Sequence, residues 1–242
     1  MTVTAILSAL AEEQQGLLEQ LNKPQSVRHG GRDFWLGELN GHRVVLGLSR
    51  IGKVAAATTA TTLITRLGVN RIVFTGVAGG VGAGVSVGDV VVAAEFVQHD
   101  MDASPIFPRF EVPLYGKTCF ACDPALTEML LDASRTALAE TEQGQARLHR
   151  GLIASGDRFV SAADESRGIQ RALREAGLDV LAVEMEGAAV AQVCFDFGVP
   201  FAAVRTISDR ADDQAHMDFP KFVAEVASGY AQSIMTNLFR LL

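Results

Sequence analysis

The sequence predicts an α/β fold: one domain over residues 1–242, with a central mixed, twisted sheet flanked by helices. Three observations predict it. Six short apolar runs are spread along the chain, at 4–10, 44–48, 72–75, 90–96, 152–155 and 201–207. They are continuous rather than alternating, as in strands covered on both faces. Helical patterns with recognisable ends lie between them, which argues layers of helix on sheet. Within 34–48, Asn40-Gly41 separates two strand-like runs, a hairpin signal that makes part of the sheet antiparallel. Neither a repeat nor a low-complexity linker marks a domain boundary.

The helix ends can be read in order. Asp123-Pro124 offers an N-cap followed by proline at the first helical position, and Leu126, Met129, Leu130, Ala133 and Ala137 then recur at helical spacing. Ser161 and Asp164 resemble a capping box, Ile169 and Leu173 share a face, and Gly177 is a stop. Over 220–242, Phe222, Val223, Val226, Ala227, Tyr230, Ile234 and Leu238 form one stripe.

Composition excludes several functions. The 242 residues carry 21 Lys+Arg against 28 Asp+Glu, a net charge of −7, with 48% of residues hydrophobic. No basic run is present to follow a phosphate backbone or an anionic membrane, so neither nucleic acid nor membrane is an expected partner. The longest uncharged run, 72–88, has 17 residues and six glycines, too short and too glycine-rich to span a bilayer. The N-terminus lacks the basic flank of a signal peptide. Cys119, Cys122 and Cys194 read as ordinary thiols of a reducing cytoplasm rather than a metal or disulfide site. No cofactor and no metal is expected.

In α/β folds ligands bind beyond the carboxyl ends of the strands, and the chemistry-bearing residues lie there. After the first run come Glu12 and Glu13, where one carboxylate can cap a helix while the other points inward. After the third comes Thr75-Gly76-Val77-Ala78-Gly79-Gly80, a glycine cluster that reads as a tight turn or as a cradle for a ligand; its spacing is not that of a dinucleotide fingerprint. Val183-Glu184-Met185-Glu186 seats two carboxylates between apolar segments, which is costly unless they are paired. The run at 201–207 is interrupted by Arg205 and ends in Ser208-Asp209. The polar stretch 210–216 suits a lid.

Together these stretches, with 9–13, Arg50-Ile51-Gly52-Lys53 and Ser155-Gly156-Asp157-Arg158-Phe159, resemble the purine-type nucleoside phosphorylase/nucleosidase superfamily. Within it they are most similar to the 5′-methylthioadenosine/S-adenosylhomocysteine nucleosidases. That resemblance covers the whole chain. It implies hydrolysis of the N-glycosidic bond of a small nucleoside substrate, releasing adenine and a 5-thio-substituted ribose, and a homodimer whose loop 100–113 approaches the partner's pocket (Ile106, Phe107 and Pro113). Carried over by position, Glu13 activates the attacking water and Asp209 protonates the purine at N7. Glu186 grips the ribose hydroxyls, Met185 packs on the ribose, and Arg205 orients the water and carboxylates. Phe159 stacks on adenine, Val160 offers backbone contacts, and Ile51 and Phe219 line the 5′ pocket. Ala78, Gly79 and Ser208 complete the binding wall.

Such a reaction passes through an oxocarbenium-like state, so one group must neutralise the leaving base and another must supply water. Inverting glycosidases hold two carboxyls roughly 6.5–9.5 Å apart, and a similar gap is expected between Glu13 and Asp209. Two residues depart from the family pattern: Val77 stands where Ser is frequent, and Arg50 where Gly is common. The rival readings are a phosphate-dependent purine nucleoside phosphorylase, an aminodeoxyfutalosine nucleosidase and a catalytically silent nucleoside-binding protein. A phosphorylase needs an arginine clamp on its anion, yet no arginine precedes Arg28. A silent protein is expected to lack Glu13 or Asp209.

Overall fold

The computed structural model describes residues 2–140, 146–211, 222 and 226–242. Its elements are β1 (Val3–Ser8), α1 (Ala11–Gln20), β2 (Asn22–His29), β3 (Arg32–Leu39), β4 (His42–Leu48), α2 (Lys53–Leu67), β5 (Arg71–Gly80), β6 (Val90–Gln98), β7 (Cys119–Ala121), α3 (Pro124–Ala139), β8 (Leu148–Ser155), α4 (Ala163–Glu175), β9 (Val180–Glu184), α5 (Gly187–Phe197), β10 (Phe201–Asp209) and α6 (Ser228–Leu241). No helix among the described residues is long and apolar enough to cross a membrane.

The sheet is mixed, in the order β10-β6-β8-β9-β5-β1-β4-β3-β2, with β7 beside β6. β1 runs parallel to both β4 and β5, while β2–β3 and β3–β4 are antiparallel hairpins. Half of the sheet closes on itself. β5 pairs in parallel with β10 and also meets β9, antiparallel, through Gly79 and Gly80, so β5, β10, β6, β8 and β9 form a ring. Closure removes exposed strand edges, and it rests on long-range pairing that the apolar runs do not encode.

Helices cover both faces, which is why the strands read as continuous apolar runs. On one side α1, α3 and α6 bury Leu17, Leu130, Ile234 and Leu238 against Val73 and Val204. On the other, α2 and α5 bury Ala56, Ala60, Ala188 and Val190 against Phe74 and Ile72. α4 packs through Leu173 on a smaller cluster that includes Val183. The first residue of α5 is tightly confined: a Cβ at Gly187 would stand 2.1 Å from Cε1 of the buried Phe96 ring. Gly187→Ala is therefore expected to cost about 1–3 kcal/mol by overpacking, read as a lower urea midpoint. An unchanged midpoint would mean that the ring yields freely.

Local signals explain most boundaries. Asn40 (φ 49°) and Gly41 (φ 84°) are both left-handed, as a type I′ hairpin turn requires. Asp123 caps α3 by accepting the Leu126 N–H at 2.8 Å. Gly177 (φ 78°) follows the end of α4. The capping box expected at Ser161 is absent: α4 starts after Ala162, which is extended and makes no side-chain cap, so Ser161 lies one residue too early. Of the C-terminal stripe, Ala227, Tyr230, Ile234 and Leu238 are buried; Val223 lies outside the described residues.

Candidate active site

The carboxyl ends of β1, β5, β9 and β10 converge on a cavity of about 300 Å³, lined in part by Glu13, Glu184, Glu186 and Asp209. Ten of the residues singled out from the sequence line it: Glu13, Ile51, Ala78, Gly79, Phe159, Val160, Met185, Glu186, Ser208 and Asp209. Phe219 lies outside the described residues, as does most of the stretch expected to act as a lid.

Glu13 is anchored on both sides. It sits in the first turn of α1, where its Oε2 accepts the N–H groups of Ala9 (2.8 Å) and Leu10 (2.9 Å), satisfying donors that a helix start leaves open. Its Oε1 accepts the Val77 N–H of β5 at 3.2 Å. Glu12 remains exposed, so the capping role and the inward role fall on one side chain. Burial pushes the Glu13 carboxyl above its ordinary value, against the opposing pull of those N–H donors and the charge of Arg205.

Asp209 reaches the cavity through an irregularity. The β10–β5 register slips between Ile207 and Asp209, which brings Asp209 opposite Gly79; bulges of this kind re-aim side chains beside functional sites. Its Oδ1 accepts the Ala211 N–H at 2.7 Å and its Oδ2 the Ser208 hydroxyl at 2.7 Å. Residues 75–80 are strand rather than turn, which corrects the tight-turn reading. Their glycines admit carboxylates: a Cβ at Gly76 would lie 3.1 Å from Glu13 Oε1, and one at Gly79 would lie 3.0 Å from Asp209 Oδ1. β5 thus holds Glu13 at Val77 and stands opposite Asp209 at Gly79, two residues further along the strand.

Glu186 lies between β9 and α5, and its Oε1 accepts the N–H of Gly52, the residue capping α2, at 2.9 Å. Burial first, and the neighbouring Glu184 second, raise its pKa to about 8. A carboxyl with a raised folded pKa binds its proton more tightly in the native state. It therefore lowers stability progressively from its unfolded value near 4.5 up to about 8, and not further. The stability of Glu186→Gln relative to the native protein is expected to improve as pH rises through that window. Urea midpoints at pH 5 and pH 8 check this, and a pH-independent difference would contradict it.

Two assignments change. Arg205 does not line the cavity. Its side chain, 1% exposed, lies behind the wall, where Nη2 donates to Glu184 Oε2 at 2.8 Å and Nη1 to the carbonyls of Phe74 and Val204 at 3.2 Å, with its guanidinium 4.1 Å from the Phe74 ring centroid. Its bonds thus hold one carboxylate of the wall, Glu184, from behind. Glu184, given no role above, is the centre of that wall. It also accepts the N–H groups of Glu186 (3.2 Å) and Gly187 (2.9 Å) and the Ser155 hydroxyl. The signal was present in two glutamates two residues apart, but alternation within a buried strand does not say which one meets the ligand.

The chain matches the Phosphorylase superfamily over residues 3–240. The chain belongs to that superfamily. Solved structures agree over its full length. A 5′-methylthioadenosine/S-adenosylhomocysteine nucleosidase from Neisseria meningitidis, in complex with methylthio-immucillin-A, is 35% identical with a TM-score of 0.91, both chains covered in full. The nucleosidase from Streptococcus pneumoniae with a transition-state inhibitor is 31% identical at 0.88, with the same coverage. A futalosine hydrolase mutant from Helicobacter pylori is also 31% identical at 0.88, again over both whole chains. The fold expected from the superfamily, mixed sheet between helices, is the one found here.

The cavity's charge separates the two chemistries of this superfamily. Among the described residues four carboxylates face it, and the one lining cation, Arg158, is largely exposed and paired with Glu165 at 3.0 Å. Among the described residues a phosphate ion at Glu13 would meet like charge with no clamp to offset it; a water molecule meets an acceptor.

Proposed function

We propose that the protein hydrolyses the N-glycosidic bond of 5′-thio-substituted adenosines, methylthioadenosine and S-adenosylhomocysteine, to adenine and the thioribose. The observation that carries this reading is the pair Glu13, bonded to the Val77 N–H of β5, and Asp209, set opposite Gly79 of the same strand, facing one cavity whose described lining holds no unpaired cation for phosphate.

In this mechanism the C1′–N9 bond breaks as Asp209 delivers a proton to N7, so the base leaves neutral. Positive charge grows on the sugar, where Glu186 holds the ribose hydroxyls and Met185 packs beneath. Water forms the new C1′–O bond and passes its proton to Glu13. Phe159 and Val160 hold the base, with Ser208, Ala78 and Gly79 behind it. Val77 contributes its N–H to Glu13, so a serine hydroxyl there is unnecessary for that contact.

A second reading concerns the 5′ tail alone. Ile51, on the expected 5′ side, is 59% exposed, which leaves space for a larger group such as that of aminodeoxyfutalosine. Assembly as a homodimer would cover that side. Exposed apolar side chains on α2 (Val54), α5 (Phe195, Phe197) and the preceding loops (Ile106, Leu114) support this assembly. The three free thiols suit a reducing cytoplasm.

The test offers methylthioadenosine, S-adenosylhomocysteine, aminodeoxyfutalosine, adenosine and inosine separately, without phosphate, and assays free base. Rapid adenine release from the first two is expected. Release only from aminodeoxyfutalosine would select the second reading, and strict phosphate dependence would overturn both.

A further inference from the structure

A second recess, of about 320 Å³, backs onto the same walls; Gln14, Ser26, Arg32, Asp33, Trp35 and Arg50 line it. Gln14 follows Glu13 on α1, and Arg50 precedes Ile51, yet the nucleosidase reading uses neither. In a chain of net charge −7 this recess gathers two guanidiniums against one carboxylate. The β2–β3 turn draws the two together: Arg32 Nη1 donates to the Gly30 carbonyl at 3.0 Å and Arg50 Nη2 to the Gly31 carbonyl at 2.6 Å. Burial, and then the charge of Arg50, weaken the hold of Arg32 on its proton, as neighbouring like charges do. Asp33 does not relieve them; its ion pair is with Arg28, at 3.8 Å.

Donors outnumber acceptors here. Each guanidinium carries five N–H groups. Arg32 also donates to Thr59 Oγ1 and the Ala55 carbonyl, while Arg50 has its one bond to Gly31 among the described residues. Gln14 is the independent sign. It is 6% exposed, and its Nε2 is buried with no hydrogen-bond partner among the described residues, an arrangement that is costly unless something fills it.

We propose that this recess binds one small oxyanion, phosphate-like or carboxylate-like, between Arg32, Arg50 and the Gln14 amide. Charged forks of this kind recognise both classes. The proposal stands apart from the nucleosidase reading. A bound anion also ties the β2–β3 turn to the segment that carries Ile51 and Gly52, so it braces one wall of the first cavity.

Isothermal titration of the whole protein with sodium phosphate, sulfate and acetate, at constant ionic strength, tests it. One saturable site is expected, weakened about tenfold or more, a clear step in Kd, in Arg50→Gln and separately in Gln14→Leu. Tighter phosphate and sulfate than acetate assigns a tetrahedral anion; the reverse order assigns a carboxylate. Heat that never saturates, or an affinity unchanged in both variants, would overturn the proposal and leave the arginines as braces of the Gly30-Gly31 turn.

Discussion

Glu13→Gln is expected to lower kcat by about 10²–10⁴-fold, the usual contribution of a positioned base, while a bound nucleoside analogue keeps most of its affinity. The amide still has an oxygen to accept the Ala9 and Leu10 N–H groups, so α1 should remain capped. Its NH₂ group, however, then faces the Val77 N–H, and no base is left for water. Burial raises the pKa of native Glu13, and a base works only when unprotonated. The acid limb of the native pH–rate profile should therefore lie above the ordinary carboxylate range. Steady-state kinetics with an inhibitor titration separates the outcomes: a rise in KM with kcat intact would make Glu13 a binding residue instead.

Arg205→Met is expected to be the most damaging single change to stability. It removes the cation from a pair in which both side chains are almost fully buried, and breaking such a pair costs about 3–5 kcal/mol because a lone carboxylate stays behind. At roughly 2–4 °C per kcal/mol for a domain of this size, Tm should fall by about 6–20 °C. The Glu184→Gln, Arg205→Met double variant should recover part of that loss, since the stranded charge is gone. A loss under about 1 kcal/mol in the single variant would show that Ser155 and the Glu186 and Gly187 N–H groups satisfy Glu184 without the arginine.

Much of the fold and of the site is legible in the sequence, for physical reasons that differ by element. Asn40-Gly41 and Asp123-Pro124 are local signals whose meaning depends on a few dihedral angles and one hydrogen bond, and both hold. The continuous apolar runs reported burial on both faces, as β10, buried along its whole length, illustrates. That same uniformity hid the orientation of Arg205: with every position buried, alternation cannot say which side faces a ligand. β2 escaped notice because its sequence, Asn-Lys-Pro-Gln-Ser-Val-Arg-His, is polar and lies at the sheet edge. Ring closure through Gly79 and Gly80 depends on β9, some hundred residues away, a distance that local pattern does not span. At the site, Glu13, Glu186 and Asp209 stood out because charge at a strand end needs a reason. Glu184 was passed over because its reason is to hold the other groups in place.

Turnover of methylthioadenosine in ¹⁸O-labelled water, with millimolar phosphate present, is the most direct test of the whole account. Mass spectrometry of the products should find one heavy oxygen on the anomeric carbon of the thioribose, together with free adenine. An unlabelled sugar 1-phosphate in its place would show that phosphate, not water, attacks, and would contradict the role given to Glu13.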